Sequence, residues 1–122
     1  MSSRPHRELV DYVEEQAGDY FRTAVAFTEE DWEIIYRRED LPRERAEQRA
    51  ESVVGKARRR EPLRQPDSPF GEFDAMIELY EGGVFTVIQE SPSEGVIIAL
   101  ERDAARSLAG FILECRQTLD LE

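Results

Sequence analysis

Few residues in the chain could do acid–base or nucleophilic chemistry by their type alone. There is one histidine, His6, and one cysteine, Cys115. A Cys–His or Ser–His nucleophile would have to draw on His6, close to a fraying chain end. Flanked by Arg4 and Arg7, that imidazole reads as a solvated terminal residue rather than a proton carrier. A single cysteine forms no intramolecular disulfide, and a zinc site needs more ligands than these two residues supply. Carboxylates are too abundant, at 27, for any one pair to stand out; a fold could bring Glu72 and Glu90 together by chance. Gly82-Gly83 lacks both the spacing and the following helix of a phosphate loop. These residue types point to no catalytic residue, cofactor, metal or small-molecule substrate, and the expectation is a protein that is not an enzyme.

The arginines form the one pattern that invites a ligand. From Arg37 to Arg64 ten cations stand against six acids, a local +4 in a chain of net charge −11. Arginine suits phosphate recognition, and a nucleic-acid-binding accessory factor using a helix over 41–60 is the alternative reading. Yet no aromatic residue lies between Tyr36 and Phe70 to stack on bases. Acids also lead that segment (Glu39, Asp40) and cations close it (Lys56, Arg58, Arg59, Arg60), the order a helix dipole favours. Arg45, Arg49, Arg58, Arg59 and Arg60, with Trp32, are therefore read as a candidate surface for contact with protein. Lys56 is the only lysine beside 15 arginines. With the carboxylate surplus, this reads as adaptation to molar salt, where the Debye length of about 3 Å makes self-repulsion cheap.

The surrounding pattern predicts one α+β domain over 1–122. Leu9, Val10, Val13 and Ala17 recur at helical spacing over 5–17, with Pro5 at the start and Gly18 at the C-cap. Phe21, Thr23, Val25 and Phe27 alternate, as do Trp32, Ile34 and Tyr36, which predicts a hairpin over 20–37. Asp40 is placed to cap a helix over 41–60 whose apolar stripe (Leu41, Ala46, Ala50, Val53, Val54, Ala57) is thin, making it the least stable element. A proline-rich connector at about 61–70 follows. Three strands come next, with Phe73, Ala75, Ile77 and Leu79 alternating in the first, and "VIIAL" as the central one. Asp103 would cap a closing helix whose apolar face is Leu108, Phe111, Ile112, Cys115 and Leu119, with the thiol buried and inert. The order α-β-β-α-β-β-β-α predicts a five-stranded antiparallel sheet with helices packed on it, a topology similar to roadblock/longin and profilin-like folds.

Three segments carry a further resemblance: "IIYRREDL", "FGEFDAMIELYEGGVFTVI" and "GVIIALERDAARSLAGFILECRQTL". The chain resembles a family of small acidic haloarchaeal proteins without an assigned function, matching at Tyr36–Asp40, Phe70–Phe73 and Glu101–Cys115. The middle segment departs from that pattern in its arginine content. The resemblance implies a halophilic cytoplasm and carries over no catalytic residue. No apolar run approaches the roughly 18 residues of a membrane span, and the N-terminus lacks the apolar core of a secretory signal, so a cytoplasmic location is expected. The function expected is a non-enzymatic regulatory or protein-interaction module, acting through a protein partner or as a homodimer.

Overall fold

Strand β5 (Glu94–Leu100) sets the plan of the molecule, because its residues Gly95–Ala99 are buried in unbroken succession. A strand apolar on both faces needs cover on both. In the computed structural model, which describes residues 3–59, 69–71, 73, 75–91 and 93–119, that cover comes from two helices on opposite sides of one sheet. Helix α1 (Arg4–Ala17) leads through a 3-10 turn (Gly18–Tyr20) into β1 (Phe21–Phe27) and β2 (Trp32–Arg37). Helix α2 (Arg43–Arg59) follows, then β3 (Ala75–Tyr80), β4 (Gly83–Ser91) and β5, a second 3-10 turn (Arg102–Ala105) and α3 (Arg106–Thr118). The five strands are antiparallel in the order β2-β1-β5-β4-β3, so the fold is α+β in the expected element order.

Helix α1 begins at the Ser3 hydroxyl, which accepts from the His6 amide, and stops at Gly18, whose φ of 55° only glycine adopts freely. Its Leu9, Val10, Val13 and Ala17 rest on Phe21, Ala24, Val96 and Ile98. On the other face Ala50 and Val54 of α2 meet Val25, Phe27 and Ile97, with Trp32 and Ile34 beside them. Neighbours on β5 thus serve opposite cores, as period-two geometry requires.

Two bulges change the alternation expected in the hairpin. Pairing with β5 slips between Phe21 and Thr23, leaving Arg22 as the extra residue, and pairing with β2 slips between Ala24 and Val25, leaving Ile35 extra. As a result Phe21 and Tyr36 do not share a face with Val25 and Ile34. Both turn to the α1 side and stack, ring centroids 4.0 Å apart at 13°, an arrangement worth about 0.5–1.5 kcal/mol beyond burial. Burial raises the Tyr36 hydroxyl above its ordinary pKa, with the nearby Glu14 carboxylate adding to it.

Other expectations also change. Asp40 does not cap α2, which starts at Arg43; Arg38 holds its carboxylate instead. Asp103 lies in the 3-10 turn, and the N-cap of α3, Ala105, makes no side-chain bond. Ile77 is 55% exposed because neither core reaches β3. The apolar face of α3 is not buried: Ala109 is its one buried residue, and Cys115 is exposed. The connector at about 61–70 lies outside the described residues except for Pro69 and Phe70, as do Arg60 and Glu72.

Of the glycines, Gly95 is the most closely surrounded. A Cβ there would press on the Ile88 carbonyl oxygen and approach the Phe27 ring at 3.2 Å, whereas one at Gly82 would meet nothing within 4 Å. Gly95→Ala is expected to destabilise the fold by about 1–3 kcal/mol or more in denaturant titration, and Gly82→Ala to leave the midpoint nearly unchanged.

Candidate interaction surface

Four of the described arginines are tied to backbone carbonyls of the fold. The Arg58 Nε donates to the Thr28 carbonyl at 2.9 Å and its Nη2 to the Asp31 carbonyl at 2.8 Å, pinning the end of α2 to the β1–β2 turn. Arg38 donates to the Asp19 carbonyl at 2.7 Å, Arg102 to the Tyr80 carbonyl at 2.9 Å, and Arg37 to the Leu41 carbonyl. A planar guanidinium with several fixed donors can hold a loop carbonyl and a second group together, which an ammonium on a flexible stem does less well. Arg59 folds back over Gly55 of its own helix. Arg45 and Arg49 face the crevice between α2 and the sheet, and Trp32 is half-buried at the edge of the α2 core. Arg60 lies outside the described residues. Of the others, Arg45, Arg49, Arg58 and Arg59 all lie on α2, and Trp32 opens β2.

A cluster of ion pairs lies elsewhere, around Glu101. Arg22, the extra residue of the β1 bulge, and Arg38, after β2, each place Nη1 2.9 Å from the same Oε2 of Glu101, just beyond β5. Arg38 also bonds Asp40. Backbone bonds from Arg38 N to Arg22 O and from Glu101 N to Tyr20 O, both 2.8 Å, complete this staple. The Arg22 hydrogen bond, then that of Arg38, holds the Glu101 carboxyl below its usual range against the opposing effect of burial. Arg38 does the same to Asp40, while its own pKa is raised, foremost by its bond to Asp40. A charged residue inside an otherwise apolar strand, as at Arg22, was the available sequence signal.

His6 also departs from the expected solvated state. Its Nε2 lies 3.0 Å from Glu90 Oε1 of β4, tying the start of α1 across the sheet, with the imidazole largely covered. Among the described residues no group of three or more His, Cys, Asp or Glu side chains is placed to hold a metal ion. No helix there is long and apolar enough to cross a membrane.

Among the described residues two apolar surfaces stay open. On the α2 side, a groove of about 320 Å³ runs between the second half of α2 and the β3–β4–β5 part of the sheet. On α3 and at its C-cap, Leu108, Phe111, Ile112, Leu113 and Leu119 are exposed, Phe111 to 61% and Leu119 to 69%.

A family model for a domain of unknown function, DUF7522, matches residues 7–120, from α1 to just beyond α3. The chain belongs to the DUF7522 family. The match covers all five strands, the Arg22–Glu101–Arg38 staple and both uncovered surfaces, so these belong to the DUF7522 domain itself. No curated protein and no solved structure matches the chain.

Because Glu101 releases its proton more readily in this DUF7522 domain than in the unfolded chain, its contribution to stability is full above the unfolded carboxylate value. It is lost as pH falls through the depressed folded one. Glu101→Gln is expected to lower stability at neutral pH by about 1–2 kcal/mol and to give a shallower acid limb than wild type, measured by denaturant titration from neutral to acid pH.

Proposed function

We propose that the protein is a non-enzymatic protein-interaction module that pairs with a second copy of itself through α3 and works in a salt-rich cytoplasm. The observation that carries this reading is the apolar stripe of α3. Leu108, Phe111, Cys115 and Leu119 recur at helical spacing on a helix that buries only Ala109. Exposed single hydrophobics are ordinary, but a stripe along one helix is a packing surface without its partner. A second copy supplies the same stripe, which is how a two-fold interface closes on itself.

The non-enzymatic part rests on the groups that could move protons. Among the described residues, the carboxylates held away from their ordinary pKa, Asp40 and Glu101, are both lowered by arginine contacts, opposite to what a general acid at neutral pH needs. The lone imidazole is engaged by Glu90 rather than by a nucleophile. The nucleic-acid reading has less to stand on, because Arg58 already donates to two backbone carbonyls and Arg59 lies along its own helix. Fifteen arginines beside one lysine, at a net charge of −11, support the salt-rich setting.

The test is the particle mass by size exclusion with light scattering in roughly 2–3 M KCl, where screening is nearly complete. The wild-type chain is expected as a dimer and Phe111→Glu as a folded monomer, since the variant forces a carboxylate into the apolar contact. A wild-type chain that stays monomeric up to high micromolar concentration overturns the reading.

A further inference from the structure

The groove beside α2 is a second feature, independent of α3, and its chemistry points to a ligand. Its floor is apolar and drawn from four elements: Val53 and Ala57 of α2, Phe85 and Val87 of β4, Met76 of β3 and Ile97 of β5. Its volume of about 320 Å³ lies at the lower end of the range for small-molecule sites, about 300–1,000 Å³. The far wall is held in shape: the Tyr80 hydroxyl donates to Glu78 Oε1 at 2.8 Å, and the Tyr80 ring stands edge-on to Phe85 at 5.8 Å.

Charge divides the lip. On the α2 side stand Arg49 and Lys56, on the same helical face as Val53, and on the sheet side stand Glu78 and Glu94. Most other arginines near the sheet have acceptors of their own, whereas neither Arg49 nor Lys56 has a hydrogen bond or ion pair among the described residues. Two cations without acceptors, overhanging an apolar floor, suit an anionic head on an apolar body. The acids on the opposite lip fix its direction, toward α2. The last-turn carbonyls of α2 repel an anion near Lys56, so the head belongs closer to Arg49, in mid-helix.

We propose that this groove binds a small amphiphilic carboxylate, its apolar chain on Phe85, Val87 and Met76 and its carboxylate on Arg49, with Lys56 assisting. Binding requires neither α3 nor a second copy.

The chain has two methionines, Met1 and Met76, so methyl-labelled methionine places one NMR probe on the groove floor. Titration of the full chain with octanoate, in salt that keeps it folded, is expected to shift the Met76 methyl saturably. Arg49→Gln is expected to weaken binding about tenfold, Lys56→Gln by less, and octan-1-ol to bind more weakly than octanoate. Val87→Arg, which fills the floor, should abolish the shift. Should that variant fail to fold, the two surface substitutions still decide the matter. A Met76 methyl that does not move, octanol binding as tightly as octanoate, or Arg49→Gln binding like wild type would each overturn the proposal.

Discussion

The rest of the structure depends on one mismatch: a sheet apolar on both faces, of which the described helices α1 and α2 cover only part. β5 demands burial above and below, and α1 and α2 meet that demand over β1, β2 and β5. Neither reaches β3, which is why Ile77 is exposed and why Met76 and Tyr80 line an open groove. The bulges at Arg22 and Ile35 belong to the same problem. By turning Phe21 and Tyr36 to the α1 side, they give that face two stacked rings and leave Val25, Phe27 and Ile34 to α2.

The bulge at Arg22 links packing to charge. The extra residue carries a guanidinium, and with Arg38 it fastens the ends of β1, β2 and β5 through one carboxylate, Glu101. Elsewhere arginine acts on backbone carbonyls, at Leu41, Asp19, Thr28, Asp31 and Tyr80. Short hydrogen bonds of this kind depend less on long-range Coulomb attraction, the part that salt screens most strongly. An arginine-rich, lysine-poor composition therefore has a structural use in this fold, beyond any effect on solubility.

Much of the architecture was legible in the sequence because its signals were local. Helical spacing over Leu9–Ala17, the glycine after it and the unbroken apolar run of β5 each fixed an element or its place. The failures share a cause, since each depended on what lay across the sheet. A bulge cannot be seen in one strand's alternation, so alternation alone puts Phe21 and Tyr36 on the wrong face. An amphipathic helix does not announce whether its own chain covers it, so spacing alone puts Cys115 in the core when it is exposed. Asp40 had the right type and position for a cap, but Arg38, two residues away, was the stronger partner. The groove needed the tertiary fold, because Val53, Met76 and Val87 come from three separate elements.

The central claim is that α1 and α2 close the core over β1, β2 and β5 within one chain, while the stripe of α3 is proposed to pair with a second copy. Amide hydrogen exchange followed by mass spectrometry across protein concentrations tests it most directly. The account predicts that protection over Gly95–Ala99 is strong and independent of concentration, whereas protection over Leu108–Leu119 rises as the chain is concentrated. Equal and concentration-independent protection of both segments would contradict it.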